Sequence, residues 1–367
     1  MNPGAPPSPT TAALDAGCLN LATGYSRCMA TTRAVQVASP GGDLTLITRE
    51  RTAPGRGQIE IKVHACGVCH SDSVVKDGQF PGLQLPRVPG HEIVGTVTAV
   101  GPDVEPWKVG ERVGVGWHGG HDFICPSCRV GDFVTCRNEQ ITGVSYDGGY
   151  AEYMLARAEA VARVPEGLTD AEAAPLLCAG ITTFNALRHS PAGPGDLVAI
   201  QGLGGLGHLG VQFAAKLGFH TVAVGRGDDK QPLAQQLGAH EYVDAARGDG
   251  GKQLAALGGA KVILATAPSA SAIQDMIEGL GVGGQLLIVA AAAEPISVPP
   301  LALILTRRSI QGWPSGHAKD SEETLEFSAR FGVRPMVETF PLERVAEAYD
   351  RMITGRVRFR SVLTMPA

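Results

Sequence analysis

Gly202-Leu203-Gly204-Gly205-Leu206-Gly207 stands between an apolar run at 196–201 and a stretch of helical character from about 206 to 217. No other feature restricts the fold as much. A Gly-x-Gly-x-x-Gly string is weak evidence alone, but after a strand and at the mouth of a helix it has a physical purpose. Glycine lets the backbone approach a pyrophosphate, and the helix N-terminus offers free N–H groups and the positive end of a dipole. Gly202, Gly204, Gly205, Leu206 and Gly207 are therefore expected to bind a dinucleotide. The bland alternative is a tight turn without ligand. Further strand signals follow at 221–224, 260–265 and 285–289, with helical stretches between them, one running through 231–237. Such alternation implies a parallel, doubly wound sheet with right-handed crossovers. We place this domain at about 177–311.

The segment from 33 to about 170 reads differently. Short apolar runs such as 58–63 and 93–100 alternate at period two and are broken by Gly and Pro, a β-rich signature. Residues 103–104 read as a turn leading into a strand over 107–113. After Trp313, helix-like stretches at 319–331 and 342–354 and a strand-like run at 359–365 are expected to return to this first domain. The organisation is then 29–176, 177–311 and a C-terminal return over 312–367. Residues 1–28 lack a sustained period and the basic-then-apolar order of a secretory signal. They read as a disordered tail or an over-called start, with Met29 as the alternative beginning.

At 367 residues the chain has room for two domains. Its 31 basic and 36 acidic residues give a net charge of −5, and no basic run suggests nucleic acid. No apolar stretch reaches the length of a membrane span, so the expectation is a cytoplasmic protein. The 8 cysteines could form disulfides. However, Cys125, Cys128 and Cys136 are clustered and two more lie in zinc-like contexts, which reads as metal binding. Cys18, Cys28 and Cys66 read as free or buried thiols.

Cys69 in Gly67-Val68-Cys69-His70-Ser71-Asp72, His91 in Gly90-His91-Glu92 and Cys178 in Leu177-Cys178-Ala179 each suit a catalytic zinc ligand. Two thiolates and one imidazole leave the fourth tetrahedral position open to water or substrate, where zinc can act on an alcohol or carbonyl oxygen. Zinc carries no electrons in this chemistry, so a hydride acceptor is required, and the glycine motif supplies its site. Singly, a buried cysteine is usually a small hydrophobe and a lone histidine a satisfied core residue. In this order, beside a dinucleotide motif, chance is a poor explanation. The end of the second parallel strand reads Val224-Gly225-Arg226-Gly227, without the acidic residue that would hold an NAD ribose. Arg226 could meet a 2′-phosphate instead, or be a solvated loop arginine, so NAD and NADP both stay open.

The strings GVCHSD (67–72), PGHEIVG (89–95), CPSC with Cys136 (125–136), DGGYAEY (147–153), LLCAGIT (176–182) and GLGGLG (202–207) occur in one order. Over residues 33–365 the chain resembles the zinc-dependent alcohol dehydrogenases of the medium-chain dehydrogenase/reductase superfamily. The resemblance implies an α/β protein with a β-rich GroES-like catalytic domain and a Rossmann NAD(P)-binding domain. It also implies reversible hydride transfer between a primary alcohol or aldehyde and NAD(P), in a homodimer or homotetramer. Cys69, His91 and Cys178 would hold the catalytic zinc, Ser71 would take the alcohol proton, and Asp72 would orient His91. Glu92 could approach the metal transiently, His70 would lie near the pyrophosphate and Thr182 near the nicotinamide. Asp77 stands where relatives often continue the proton relay with a histidine, so release would run through Asp77 or through water. Phe80 and Trp117 match positions lining the substrate pocket, or are plain core.

The family's structural lobe has four cysteines, at positions corresponding to 122, 125, 128 and 136. Here the first is Asp122, preceded by His121. Zinc accepts carboxylate oxygen, so Asp122 is expected to complete the set with Cys125, Cys128 and Cys136, giving two zincs per subunit. His121 is the rival ligand, and a degenerate lobe without metal the third possibility. Two other functions are weighed: a zinc-free quinone or enoyl reductase on the same fold, and a noncatalytic nucleotide-binding or metal-storing protein.

Overall fold

The computed structural model describes residues 30–366, so the reading of 1–28 lies outside the described residues. Strands β1 (Thr31–Val37) and β2 (Leu44–Glu50) pair antiparallel. β3 (Gln58–Val68) is buried along almost its whole length. One edge of it runs antiparallel to β4 (Ile93–Val100), and β4 in turn pairs with β5 (Arg112–Val115). A small ribbon, β6 (His118–Gly120) with β7 (Gln140–Ile141), brackets the cysteine-rich lobe. β8 (Tyr153–Arg157) covers the first half of the other edge of β3, and β9 (Val161–Arg163) pairs with β5.

Helix α1 (Asp72–Lys76) leaves β3 almost at once. The next α-helix, α2 (Asp170–Pro175), runs through a wide π turn at Leu176–Gly180 into α3 (Ile181–Arg188). Thr169 and Glu172 start it with a reciprocal capping box. Pro175 lacks an N–H for the helical ladder, and the wide turn follows it directly. That turn carries Cys178.

The second sheet is parallel throughout. It consists of β10 (Leu197–Gln201), β11 (His220–Gly225), β12 (Glu241–Asp244), β13 (Ala260–Ala265), β14 (Leu280–Ile288) and β15 (Ser309–Gly312), in the order β12-β11-β10-β13-β14-β15. Its crossovers carry α4 (Gly207–Lys216), α5 (Gln231–Gln236), α6 (Gly250–Ala256), α7 (Ala270–Met276) and α8 (Pro300–Ile304). Because strand side chains alternate faces, Val198, Ile200, Val262 and Leu264 pack with Phe213 of α4 in one core. Ala199, Ile263 and Ala265 pack with Ile273 of α7 in another. The strand order reverses between β10 and β13, which opens a crevice at the strands' C-terminal ends.

Helix α9 (Ala318–Phe331), strand β16 (Val337–Pro341), helix α10 (Val345–Ile353) and strand β17 (Arg360–Thr364) finish the chain. β17 covers the second half of β3, from Ser361 against Val68 to Thr364 against Ala65. A β-rich region joined to a doubly wound parallel sheet is thus the fold the chain adopts. The strand expected over 107–113 begins only at Arg112. Residues 108–111 turn instead, with Glu111 N–H donating to Lys108 O, while Trp107 is buried and its Nε1 donates to Ala158 O at 2.9 Å. Strands β15 and β16 and the helical run through Cys178 were not expected from periodicity.

Candidate active site and second metal site

The turn after β3 presents Cys69, the segment entering β4 presents His91 and Glu92, and the π turn presents Cys178. Ligand atoms of these four residues lie within 4.8 Å of one another. Cys69 Sγ and Cys178 Sγ are 3.8 Å apart, close to the edge of about 3.8 Å that a tetrahedron of Zn–S bonds of about 2.3 Å requires. His91 is buried. Its Nδ1 lies 3.1 Å from Asp72 Oδ1, while its Nε2 has no partner among the described residues. One nitrogen is held and the other is free to ligate, so these residues fit zinc. The neighbouring Cys178 sulfur, with His91 and Arg360, holds the Cys69 thiol well below its ordinary range despite burial. The same contact and burial push Cys178 up.

Asp72 does more than face His91. Its Oδ2 accepts from Cys69 N–H and from Tyr150 Oη, each at 2.8 Å. Glu92 is fully buried and ion-paired to Arg360 of β17, itself 4% exposed. Burial pushes the Glu92 carboxyl up to about 7 against the pull of Arg360. Gly67 makes room for it, because a Cβ there would lie 1.8 Å from Glu92 Oε2.

Two clefts are lined by residues of this centre or next to it. One of about 800 Å³ is lined by His70, by Gly202 to Leu206, by Arg226 and Lys230, and by Arg360. The other, of about 220 Å³, is lined by Ser71, Cys178, Thr182, Trp117 and Trp313 among others. Thus His70 and Ser71, adjacent in sequence, face different clefts, and Thr182 belongs to the smaller one. Gly207 lines neither; a Cβ on it would fall 1.7 Å from Gly202 O, so it closes the loop onto α4. Phe80 packs edge-on against Trp117 at 6.3 Å and is absent from the cleft wall. Asp77 caps α1 and lines neither cleft.

In the cysteine lobe, Asp122, Cys125, Cys128 and Cys136 bring ligand atoms within 4.8 Å of one another, with Cys125 Sγ 3.8 Å from Cys136 Sγ. Asp122 Oδ1 accepts from Cys125 N–H at 2.9 Å and Ile124 N–H at 3.0 Å, and Oδ2 from Asn138 Nδ2 at 2.7 Å. These bonds hold its carboxyl well below the usual carboxylate range. His121 is not in the set; its ring stacks on Phe133 with centroids 4.0 Å apart.

At the end of β11, Arg226 and Lys230 are the cations lining the nucleotide cleft there. The nearby Asp244 accepts from Gly227 N–H at 2.8 Å and is not in the cleft wall. Sequence reasoning missed Arg360, Tyr150, Trp313, Glu139 and Ser315. Tyr150 lies inside a motif already singled out, but nothing in that string points to Asp72. The others carry no local signal, because the walls they line are built from distant segments.

Residues 55–166 match the family model described as alcohol dehydrogenase GroES-like domain, and 205–330 the model described as zinc-binding dehydrogenase. Among curated proteins, the alcohol dehydrogenase patD of Penicillium expansum is 49% identical over 89% of this chain and 95% of its own length. An alcohol dehydrogenase of Geobacillus stearothermophilus is 40% identical over 84% and 92%. Among solved structures, a cinnamyl alcohol dehydrogenase of Sorghum bicolor superposes with a TM-score of 0.84 at 30% identity, covering 91% of this chain and 98% of that one.

Proposed function

This chain belongs to the alcohol dehydrogenases of the medium-chain dehydrogenase/reductase superfamily, and from that premise we propose a zinc-dependent enzyme that interconverts a primary alcohol and its aldehyde with NAD(P). The observation that carries this is the convergence of Cys69, His91 and Cys178, with an unpartnered buried Nε2, beside a cleft that Cys178 lines. Zinc held there supplies a Lewis acid for the substrate oxygen, and the nicotinamide supplies the hydride acceptor. Ser71, on the small cleft, takes the hydroxyl proton as the carbon gives up its hydride, leaving aldehyde and a proton to pass to solvent. Asp72 fixes the His91 ring, and Arg360 neutralises Glu92 behind the ligands. His70, Gly202, Gly204, Gly205 and Leu206 bind the dinucleotide, Gly207 seats their loop on α4, and Thr182 positions the nicotinamide end.

The test combines metal analysis with NAD(P)H oxidation by an aldehyde. Cys69→Ser should lose one zinc and lower turnover by orders of magnitude; full turnover with one zinc fewer overturns the reading. A zinc-free reductase would leave three converging donors without a use.

Arg226 and Lys230, which line the cleft at the end of β11, support dual use of NAD and NADP. A charged hydrogen bond to the 2′-phosphate contributes about 1.5–3 kcal/mol, so Arg226→Ala should harm NADP turnover more than NAD. Equal losses in kcat/KM would reject Arg226 as the discriminating residue. The Asp122 set supports a second, structural zinc. A homo-oligomer is supported by the exposed Val282, Leu301, Ile304 and Leu305 near the free edge of β15.

A further inference from the structure

The cleft beside Ser71 is apolar along most of its wall, where Trp117, Val134, Val289, Trp313 and Pro314 line it. Besides Ser71 and Thr182, the polar residues Glu139 and Ser315 interrupt that wall, and hydride transfer uses neither. Glu139 follows the last lobe cysteine, its backbone N–H donating to Cys136 O at 3.0 Å. Among the described residues its carboxyl group makes no hydrogen bond or ion pair, and burial pushes it up to about 7. Ser315 lies in the same wall, and its Oγ is buried without a partner among the described residues. The Ser315 backbone is fixed independently, since Asn185 Nδ2 donates to its carbonyl at 3.0 Å.

A buried hydroxyl and a half-buried carboxyl facing apolar walls are unfavourable unless a ligand pairs with them. We propose that Glu139, assisted by Ser315, selects substrates bearing a second hydroxyl remote from the reacting one, namely hydroxy-alcohols and hydroxyaldehydes, over plain alkyl or aryl alcohols. Charged or neutral, a carboxyl group accepts from a hydroxyl, and a serine can donate or accept. A plain chain in this cleft leaves both groups unpaired; a distal hydroxyl pairs them. Sites that hydrogen-bond a substrate hydroxyl reject the analogue lacking it for this reason. The inference rests on the dehydrogenase reading, because it names that reaction's substrate class.

The experiment compares a terminal diol with the mono-alcohol of equal chain length, such as butanediol and butanol, in the full-length holoenzyme. The ratio of their kcat/KM values is internal to each enzyme, so a general loss of activity cancels. The wild type should favour the diol, and Glu139→Leu should lower that ratio about tenfold, as expected when a charge-assisted hydrogen bond is lost. Ser315→Ala should lower it less. Glu139→Gln, nearly isosteric, serves if the leucine variant fails to fold, and should fall between. An unchanged ratio in the folded Glu139 variants overturns the proposal, as does a wild-type preference for the matching amino-alcohol over the diol. Trp117 and Trp313 in the cleft give a second readout, ligand quenching of tryptophan fluorescence. If neither alcohol turns over but diol binding stays tighter and depends on Glu139, the dehydrogenase reading fails and takes the substrate class with it, leaving only a hydroxyl-binding subsite. Equal turnover of both alcohols, indifferent to Glu139, overturns this inference and leaves the dehydrogenase reading standing.

Discussion

Asp72 reaches three groups from one buried carboxylate: the His91 ring, the Cys69 amide and the Tyr150 hydroxyl. Partners that orient a metal-bound imidazole commonly change metal affinity by about 10–100-fold. Asp72→Asn keeps the shape but removes the charge facing His91 Nδ1, so zinc should be lost to a competing chelator at roughly that lower affinity. Unchanged retention would assign Asp72 a packing role only. In the lobe, where a second zinc is proposed, Asp122→Ala should lower the metal count per subunit and the melting temperature. A wild-type count of one zinc in chelator-free protein would remove the second site altogether. At this scale the cysteines and His91 were legible because each sits in a short string whose order is informative. Glu139 and Arg360 were not, since a carboxylate or guanidinium gains its meaning from whatever wall it meets.

Helix α4 does its work through its first turn. Gly207 packs its Cα against the Gly202 carbonyl, and Gly207→Ala, forcing a 1.7 Å approach, should weaken dinucleotide binding at least about tenfold, as expected when a misplaced loop loses aligned N–H donors. His208 follows it, fully buried and stacked on Phe359 with centroids 4.7 Å apart. Its Nδ1 lies 3.0 Å from Gly204 O, and Met336 N–H donates to its Nε2 at 3.2 Å. Only the neutral ring with the proton on Nδ1 satisfies both contacts. Burial holds the imidazole down to about 4 from its ordinary 6.5. Above the ordinary value neither folded nor unfolded chain binds the proton, so the contribution is complete. As pH falls from there toward the folded value, only the unfolded chain is protonated, and stability declines by up to about 3 kcal/mol. Urea midpoints should therefore drop across that window, and His208→Gln should flatten the drop. An identical pH slope in both proteins would assign the acid lability elsewhere. Strands β10 and β13 were legible as elements because parallel strands covered on both faces read as unbroken apolar runs. The π turn at Cys178 was not, because its residues are all compatible with an ordinary helix and only Pro175 hints at the break.

At the scale of the whole molecule, the last strand joins the two halves. The strand-like run near the C-terminus announced a return to the first sheet, yet neither its pairing with β3 nor the reach of Arg360 can be read locally. Arg360 and Glu92 are 268 residues apart in sequence, and such a pair exists only once the last strand has met β3 and β4 in one sheet. Arg360 also lines the nucleotide cleft, and a Cβ on Gly205 would come within 3.0 Å of its Nη1. One guanidinium thus touches the metal centre on one side and the dinucleotide loop on the other. Removing one member of a buried ion pair leaves the other charge without compensation and costs about 3–5 kcal/mol, whereas replacing both by apolar groups is often neutral. Arg360→Met should therefore lower unfolding free energy by roughly that amount in urea titrations and weaken NAD(P) binding. Adding Glu92→Leu should recover most of the stability but none of the nucleotide affinity, because the loop beside Gly205 still lacks its cation. A double variant as unstable as the single one would mean that Arg360 acts through packing, and the link between the two halves would lie in the apolar contacts of β17 instead.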